Sequence, residues 1–170
     1  MRIHRFAVRA LVVTVGGAGA ILGLGFGGGH AHAVTCNTAN GHETQQIQGT
    51  SGCGARAGAG SRASAQESGG GTAVAVSDRG GNANAINQQP GSSALAGATT
   101  NGTSYSITTG PKALSIAQAR AGGYSVAVGG WGGQAFSGQP GVQCTGGFAA
   151  AADSTTGKVC VKSGAIDLHN

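Results

Sequence analysis

The stretch Ala73-Val74-Ala75-Val76-Ser77-Asp78-Arg79-Gly80-Gly81-Asn82-Ala83-Asn84-Ala85-Ile86-Asn87 decides the fold. Small residues alternate with larger ones, a turn-forming run interrupts, and the alternation resumes. On a β-strand neighbouring side chains point to opposite faces, so this pattern separates a face of alanines from a face of branched residues. It recurs from Arg62 to Ser137 as Ala63/Ala65, Ala73/Ala75, Ala83/Ala85, Ala94/Ala96, Ser104/Ser106, Ala113/Ser115, Ser125/Ala127 and Ala135/Ser137. First members step by 10, 10, 11, 10, 9, 12 and 10 residues.

The alternate positions carry Val74/Val76, Asn84/Ile86, Leu95, Tyr105/Ile107, Leu114/Ile116, Val126/Val128 and Phe136, mostly β-branched or aromatic. Between the alternations lie turn formers such as Asp78-Arg79-Gly80-Gly81, Asn101-Gly102 and Gln139-Pro140-Gly141, and all three prolines fall there. Short strands joined by short turns at a period near ten predict an all-β fold. The expected form is a compact β-solenoid or roll, with an antiparallel meander sandwich as the alternative. The alanine and serine face admits two readings. It is either a solvent face that avoids charge, or a narrow interior in which two sheets approach more closely than the usual ~10 Å.

Residues 1–33 read as a secretory signal. Arg2, Arg5 and Arg9 form a positive start, Ala10 to Gly29 is uncharged, and Ala31-His32-Ala33 offers an A-x-A cleavage site. Cleavage after Ala33 yields an exported chain beginning at Val34. Glycines interrupt the apolar run and weaken it as an uncleaved anchor. Ala33-Val34-Thr35 before Cys36 is a poor match to a lipid-attachment site. The expected location is therefore secreted or cell-envelope associated, without stable membrane insertion after cleavage.

The net charge of +5 is largely carried by the signal. Beyond it lie seven cations, Arg56, Arg62, Arg79, Lys112, Arg120, Lys158 and Lys162, against five acids. They are scattered, with no basic patch interleaved with aromatics to track a phosphate backbone, so nucleic acid is not an expected partner. The rest of the chain divides into an N-terminal disulfide-closed cap over 34–61 with a flexible glycine-rich lead, the strand repeats over 62–143, and a C-terminal disulfide-closed hairpin and tail over 144–170. In that tail Phe148 to Ala152 could also be read as a short helix.

All four cysteines, Cys36, Cys53, Cys144 and Cys160, lie beyond the signal, and an even count in an exported chain implies a disulfide framework. Three connectivities are possible. The pairs Cys36–Cys53 and Cys144–Cys160 are favoured, because each is close in sequence and the two bracket the repeats. Zinc would need C-x-x-C pairs or histidines at ligand spacing, whereas His42 and His169 lie near no cysteine in sequence. No metal or other cofactor is expected.

Catalysis requires convergent groups. The available acids are Glu43, Glu67, Asp78, Asp153 and Asp167; Asp78 and Asp153 sit in turn signatures, and His42 and Glu43 are adjacent, which on a strand points them apart. No nucleophile elbow, phosphate-binding loop or metalloprotease motif is present in the sequence. Asn101-Gly102-Thr103 matches a glycosylation sequon but is already accounted for as a turn. Trp131, set in Gly129-Gly130-Trp131-Gly132-Gly133, is a candidate surface contact together with Tyr124 and Phe136.

With the signal, the paired cysteines and the Ala/Gly-rich alternation, the chain resembles small secreted actinomycete proteins of unknown function. That resemblance implies export. The unit Ser125-Val126-Ala127-Val128-Gly129 resembles the head repeats of trimeric autotransporter adhesins, which implies a parallel β-roll, although the adhesin unit is longer than ten residues. The expected function is that of an extracellular or envelope structural or binding protein, not an enzyme. Its partners would be a cell-wall polymer, a protein or further copies of itself. The alternative is a secreted hydrolase-like enzyme with an unrecognised site.

Overall fold

The structure is a computed structural model and describes residues 32–170. The expected signal lies outside them apart from its last two positions. Fifteen strands follow one another without a helix among the described residues. They are β1 (Val34–Ala39), β2 (Glu43–Gln48), β3 (Ser51–Ala57), β4 (Arg62–Glu67), β5 (Thr72–Asp78), β6 (Asn82–Asn87), β7 (Ser93–Thr99) and β8 (Thr103–Thr108). Then come β9 (Leu114–Ala119), β10 (Tyr124–Gly130), β11 (Gln134–Gly138), β12 (Gly141–Thr145), β13 (Phe148–Asp153), β14 (Lys158–Ser163) and β15 (Ile166–His169).

Successive strands alternate between two facing sheets through the repeat region, so the chain winds as a flattened β-solenoid of about four turns. The front sheet has the order β1-β4-β6-β8-β10-β13-β14-β15, and the back sheet β12-β11-β9-β7-β5-β3-β2. The central neighbours β4-β6-β8-β10 and β3-β5-β7-β9-β11 are parallel. The period near ten is thus half a coil. Ala63 pairs with Ala83, 20 residues on, and Ala83 with Ser104, 21 residues on. This hydrogen-bonded register also straightens the irregular steps of 9 and 12. Ala94 pairs with Ser115 and Ala96 with Ala117, so the repeat unit there is Ser115/Ala117, one alternation later than Ala113/Ser115.

The small residues face inward, which excludes the solvent-face reading. Every member of the eight pairs is at most 5% exposed. One inward row crosses the front sheet in register as Cys36, Ala65, Ala85, Ser106, Ala127, Ala151 and Cys160. Its counterpart crosses the back sheet as Cys53, Ala73, Ala94, Ser115, Ala135 and Cys144. The disulfides are Cys36–Cys53 and Cys144–Cys160, with Cα separations of 5.8 and 5.9 Å. Each therefore ties front to back at one end of the stack, replacing the last small-residue contact with a covalent one.

The interior is thin enough for a side chain on one sheet to bond the backbone of the other. Leu95 N–H in the back sheet donates to Ser106 Oγ at 3.1 Å, and the Ser106 hydroxyl donates to the Ser115 carbonyl at 2.7 Å. One coil on, Gln118 N–H donates to Ser125 Oγ at 3.1 Å, Ser125 bonds Ser137 Oγ at 2.7 Å, and Ser137 donates to the Ala152 carbonyl at 2.6 Å. Ser106, Ser125 and Ser137 are tolerated in this core because groups of the facing sheet satisfy their hydroxyls, whereas Ser77 and Ser104 are buried without a partner.

At both ends the chain reverses and the pairing becomes antiparallel: β1 with β4, β2 with β3, β11 with β12, and β10-β13-β14-β15 in sequence. Of the glycine-rich lead, Gly52-Cys53-Gly54 lies in β3, which pairs in parallel with β5 from Gly52 onward, while Gly58 to Gly60 lies in the turn before β4. Phe148 to Ala152 lies in strand β13, since pairing on both sides outweighs the alanine helix preference of so short a run. The corners are tight turns. Residues with positive φ include Arg79 and Gly80, Thr100 and Asn101, Ala121 and Gly122, and Trp131 and Gly132.

Two outcomes follow for unfolding experiments. Ala85→Leu, at a site with 0% exposure, lowers stability by about 3 kcal/mol, the upper part of the range for overpacking. Outward-facing Ile86→Leu costs under ~1.5 kcal/mol, and denaturant titration of the oxidised protein compares the two. Replacing Cys144 and Cys160 together by alanine costs about 3 kcal/mol for a loop of that length, read as a shift in the denaturant midpoint.

Candidate functional site

The acids and histidines singled out in the sequence are dispersed over the molecule. Glu43 lies on the outer face of the back sheet opposite Arg56, and His42 is exposed in the turn before it. Asp78 is exposed at the end of β5, 3.6 Å from the Arg79 guanidinium. Asp153 is buried at the β13–β14 turn, where its Oδ1 accepts Thr155 N–H at 2.7 Å and Thr156 N–H at 3.3 Å, the backbone-capping role its turn signature suggests. Asp167 and His169 share one side of β15, 3.6 Å apart. A 2.9 Å hydrogen bond from Lys162, reinforced by that residue's charge and by His169, holds the exposed Asp167 carboxyl below its ordinary range.

Surface concavities are modest. A depression of about 310 Å³ is floored by Gly52 and Gly54 beside Ile47 and Val74. Another, of about 340 Å³, lies beside Arg120, Gln139 and Asp153. Among the described residues no three of His, Cys, Asp and Glu are grouped to hold a metal ion, and no helix is long and apolar enough to cross a membrane.

The three aromatic candidates fall on different parts of the surface. Phe136 is half-buried on the outer face of the back sheet, in the row Val74, Leu95, Ile116 and Phe136. Tyr124 and Trp131 flank the two ends of β10 in the front sheet, about 20 Å apart at the rise of an extended strand. Trp131 is 67% exposed and has a positive φ, a conformation that a bulky side chain adopts at a cost. Its backbone is wedged between coils. A Cβ on Gly110 would meet Trp131 N, and one on Gly147 would meet Trp131 O, so glycine is required at both places.

Between Tyr124 and Trp131 the outer face of the front sheet is apolar over a wide area. Ile86, Ile107, Val128, Ala150, Val161 and Leu168 form a single register row across six strands. Tyr105, Val126, Ala152 and Val159 form the row beside it. From β8 to β15 no outward position carries a charge; the remaining ones are Thr103, Tyr124, Gly130, Phe148, Ser163 and Ile166. Exposure rises toward the end of the sheet, reaching 64% at Leu168. The repeats supply half of this face, and Val159, Val161, Ile166 and Leu168, which lie beyond the repeats and outside the expected apolar face, supply the rest. Their signal was present, because Val159 and Val161 alternate about Cys160, and Ile166 and Leu168 about Asp167.

No curated protein and no solved structure matches the chain. A protein-family model described as "Family of unknown function (DUF6764)" matches residues 1–163 of the 170. Because that match spans nearly the whole chain, the protein belongs to this family of unknown function.

Proposed function

We propose that the protein is an exported, envelope-associated binding protein that lays the outer face of its front sheet along an uncharged polysaccharide strand of the cell envelope. The observation that carries this reading is the charge-free apolar face from β8 to β15, with Tyr105 in it and Tyr124 and Trp131 at its margins. A flat face of aliphatic and aromatic groups suits the apolar C–H surfaces of sugar rings, and aromatic side chains supply large contact area at low entropic cost.

The size of the face argues against a second copy as its occupant. Five strands spaced ~4.8 Å apart and about 17–20 Å long offer about 400 Å², roughly half of the ~800 Å² per partner in a standard interface. Such a face suits weak contacts repeated along a polymer. The two cystines support export, since disulfides persist in oxidising compartments. The signal-like segment over 1–33 points the same way.

Cosedimentation of the chain beginning at Val34 with insoluble, delipidated cell-wall polysaccharide tests the proposal. The protein should pellet with the polymer, and Val161→Lys should lower the bound fraction about tenfold, the effect of ~1.4 kcal/mol. Gln134→Lys, on the back sheet, should leave it unchanged. Equal binding by Val161→Lys contradicts the face assignment. A concentration-dependent dimer abolished by Val161→Lys would replace the polymer with a second copy.

A further inference from the structure

At the first corner of the stack a carboxylate is buried with half of its hydrogen-bonding capacity unused. Glu67 is 1% exposed at the end of β4. Its Oε1 accepts Gly69 N–H at 2.6 Å and Gly71 N–H at 2.9 Å, with Asn87 Nδ2 at 3.4 Å. Oε2 is buried without a partner, and among the described residues no lysine, arginine or histidine forms an ion pair with this side chain. A charge so placed is costly unless a cation reaches it. A second buried and unpartnered atom, Ser51 Oγ, lies at the start of β3 in the same corner. Gly52 N–H, next to Ser51, donates to the carbonyl of Gly71, and Gly71 N–H donates to Glu67.

Val34 completes the arrangement. It is 2% exposed and is the register partner of Glu67. The Cys36–Cys53 bridge brings β1 and β3 together across the interior with a Cα separation of 5.8 Å. Both strands run opposite to β4, so two residues before the bridge Val34 stands across from Ser51. Val34 is also the first residue left when the chain is cut after Ala33. In the uncut chain its nitrogen is a neutral amide with one hydrogen. After cleavage it is an ammonium with three donors, at the register position opposite Glu67 and in the corner that holds two acceptors no other described residue uses.

We infer that the α-ammonium of Val34, created by removal of residues 1–33, is the buried counter-ion of Glu67, with Ser51 as a second acceptor, so that processing completes the N-terminal corner of the solenoid. The cut is a peptide-bond hydrolysis in which water supplies the elements of the new amine and carboxylate, and the amine is protonated at neutral pH. The inference rests on the export reading but fails separately from it. An exported chain that began at another residue would remove this ion pair and leave export and the polysaccharide contact untouched.

The test begins with the intact mass of the exported protein, which should place its first residue at Val34; any other start overturns the inference. The native protein is then treated with an amine-acylating reagent and digested. Val34 should remain unmodified under conditions that label the exposed Lys158, whereas in urea both should react. Labelling of Val34 as readily as Lys158 in the native state overturns the ion pair. The third measurement compares chains beginning at Val34 with chains that retain His32-Ala33. The shorter chain should have a folding equilibrium constant about tenfold higher, as expected for a buried charged hydrogen bond. The difference should vanish in Glu67→Gln, and an equal difference in the two backgrounds overturns the coupling. The labelling result stands on the unsubstituted protein if Glu67→Gln does not fold.

Discussion

The structure depends on how closely two β-sheets approach when the residues between them are almost all alanine and serine. Larger core side chains hold sheets ~10 Å apart, and such a layer is filled by interdigitation. Here the layer is so thin that Ser106 and Ser125 bond directly to the opposite sheet. Buried apolar area per residue is correspondingly small. Cohesion comes instead from continuous ladders of backbone hydrogen bonds and from dispersion between closely packed peptide layers. This is a core that gains little from any one side chain and tolerates no enlargement of one.

A thin interior leaves the ends of the stack weak, since a terminal coil has a neighbour on one side only. Two devices meet this. The pairing turns antiparallel at both ends, and the inward rows finish on cysteines, so that Cys36–Cys53 and Cys144–Cys160 lie where the next small-residue contact would have been. The same arithmetic governs the outside. With alanine and serine taken by the interior, the branched and aromatic residues of each strand are placed outward, and in the antiparallel extension β13-β14-β15 they accumulate into a broad face without charge. The surface proposed for polymer contact is therefore a consequence of the thin core. Its own selective feature is the absence of charged residues, which the interior does not require.

Much of this was legible in the residues. The alternation of Ala73, Ala75, Ala83 and Ala85 with Val74, Val76, Asn84 and Ile86 marks strands and separates two faces, and glycine-rich runs mark the corners. The spacing of Cys36 from Cys53 and of Cys144 from Cys160 favours the pairing observed. Which face lies inside was not legible, because an alternation is symmetric until something shows where water is. The coil of 20 to 21 residues was hidden behind a half-period near ten, since hydrogen-bond partners two strands apart leave no mark within either strand. At Ala113 the sequence offered three small residues at alternate positions, Ala113, Ser115 and Ala117, and only pairing with Ala94 and Ala96 selects between two registers. The corner at Glu67 was invisible for a related reason: an acid in a glycine-rich turn reads as a surface residue until the next coil covers it.

The direction of the alternation is what everything else depends on, and solution thiol chemistry measures it directly. Single cysteines placed at Ala83, Asn84, Ala85 and Ile86, with the native bridges left oxidised, report accessibility residue by residue along β6. The account predicts slow reaction of a thiol-specific reagent at 83 and 85 and fast reaction at 84 and 86, with the contrast abolished in denaturant. Fast reaction at 83 and 85 in the native protein, with 84 and 86 protected, would contradict it.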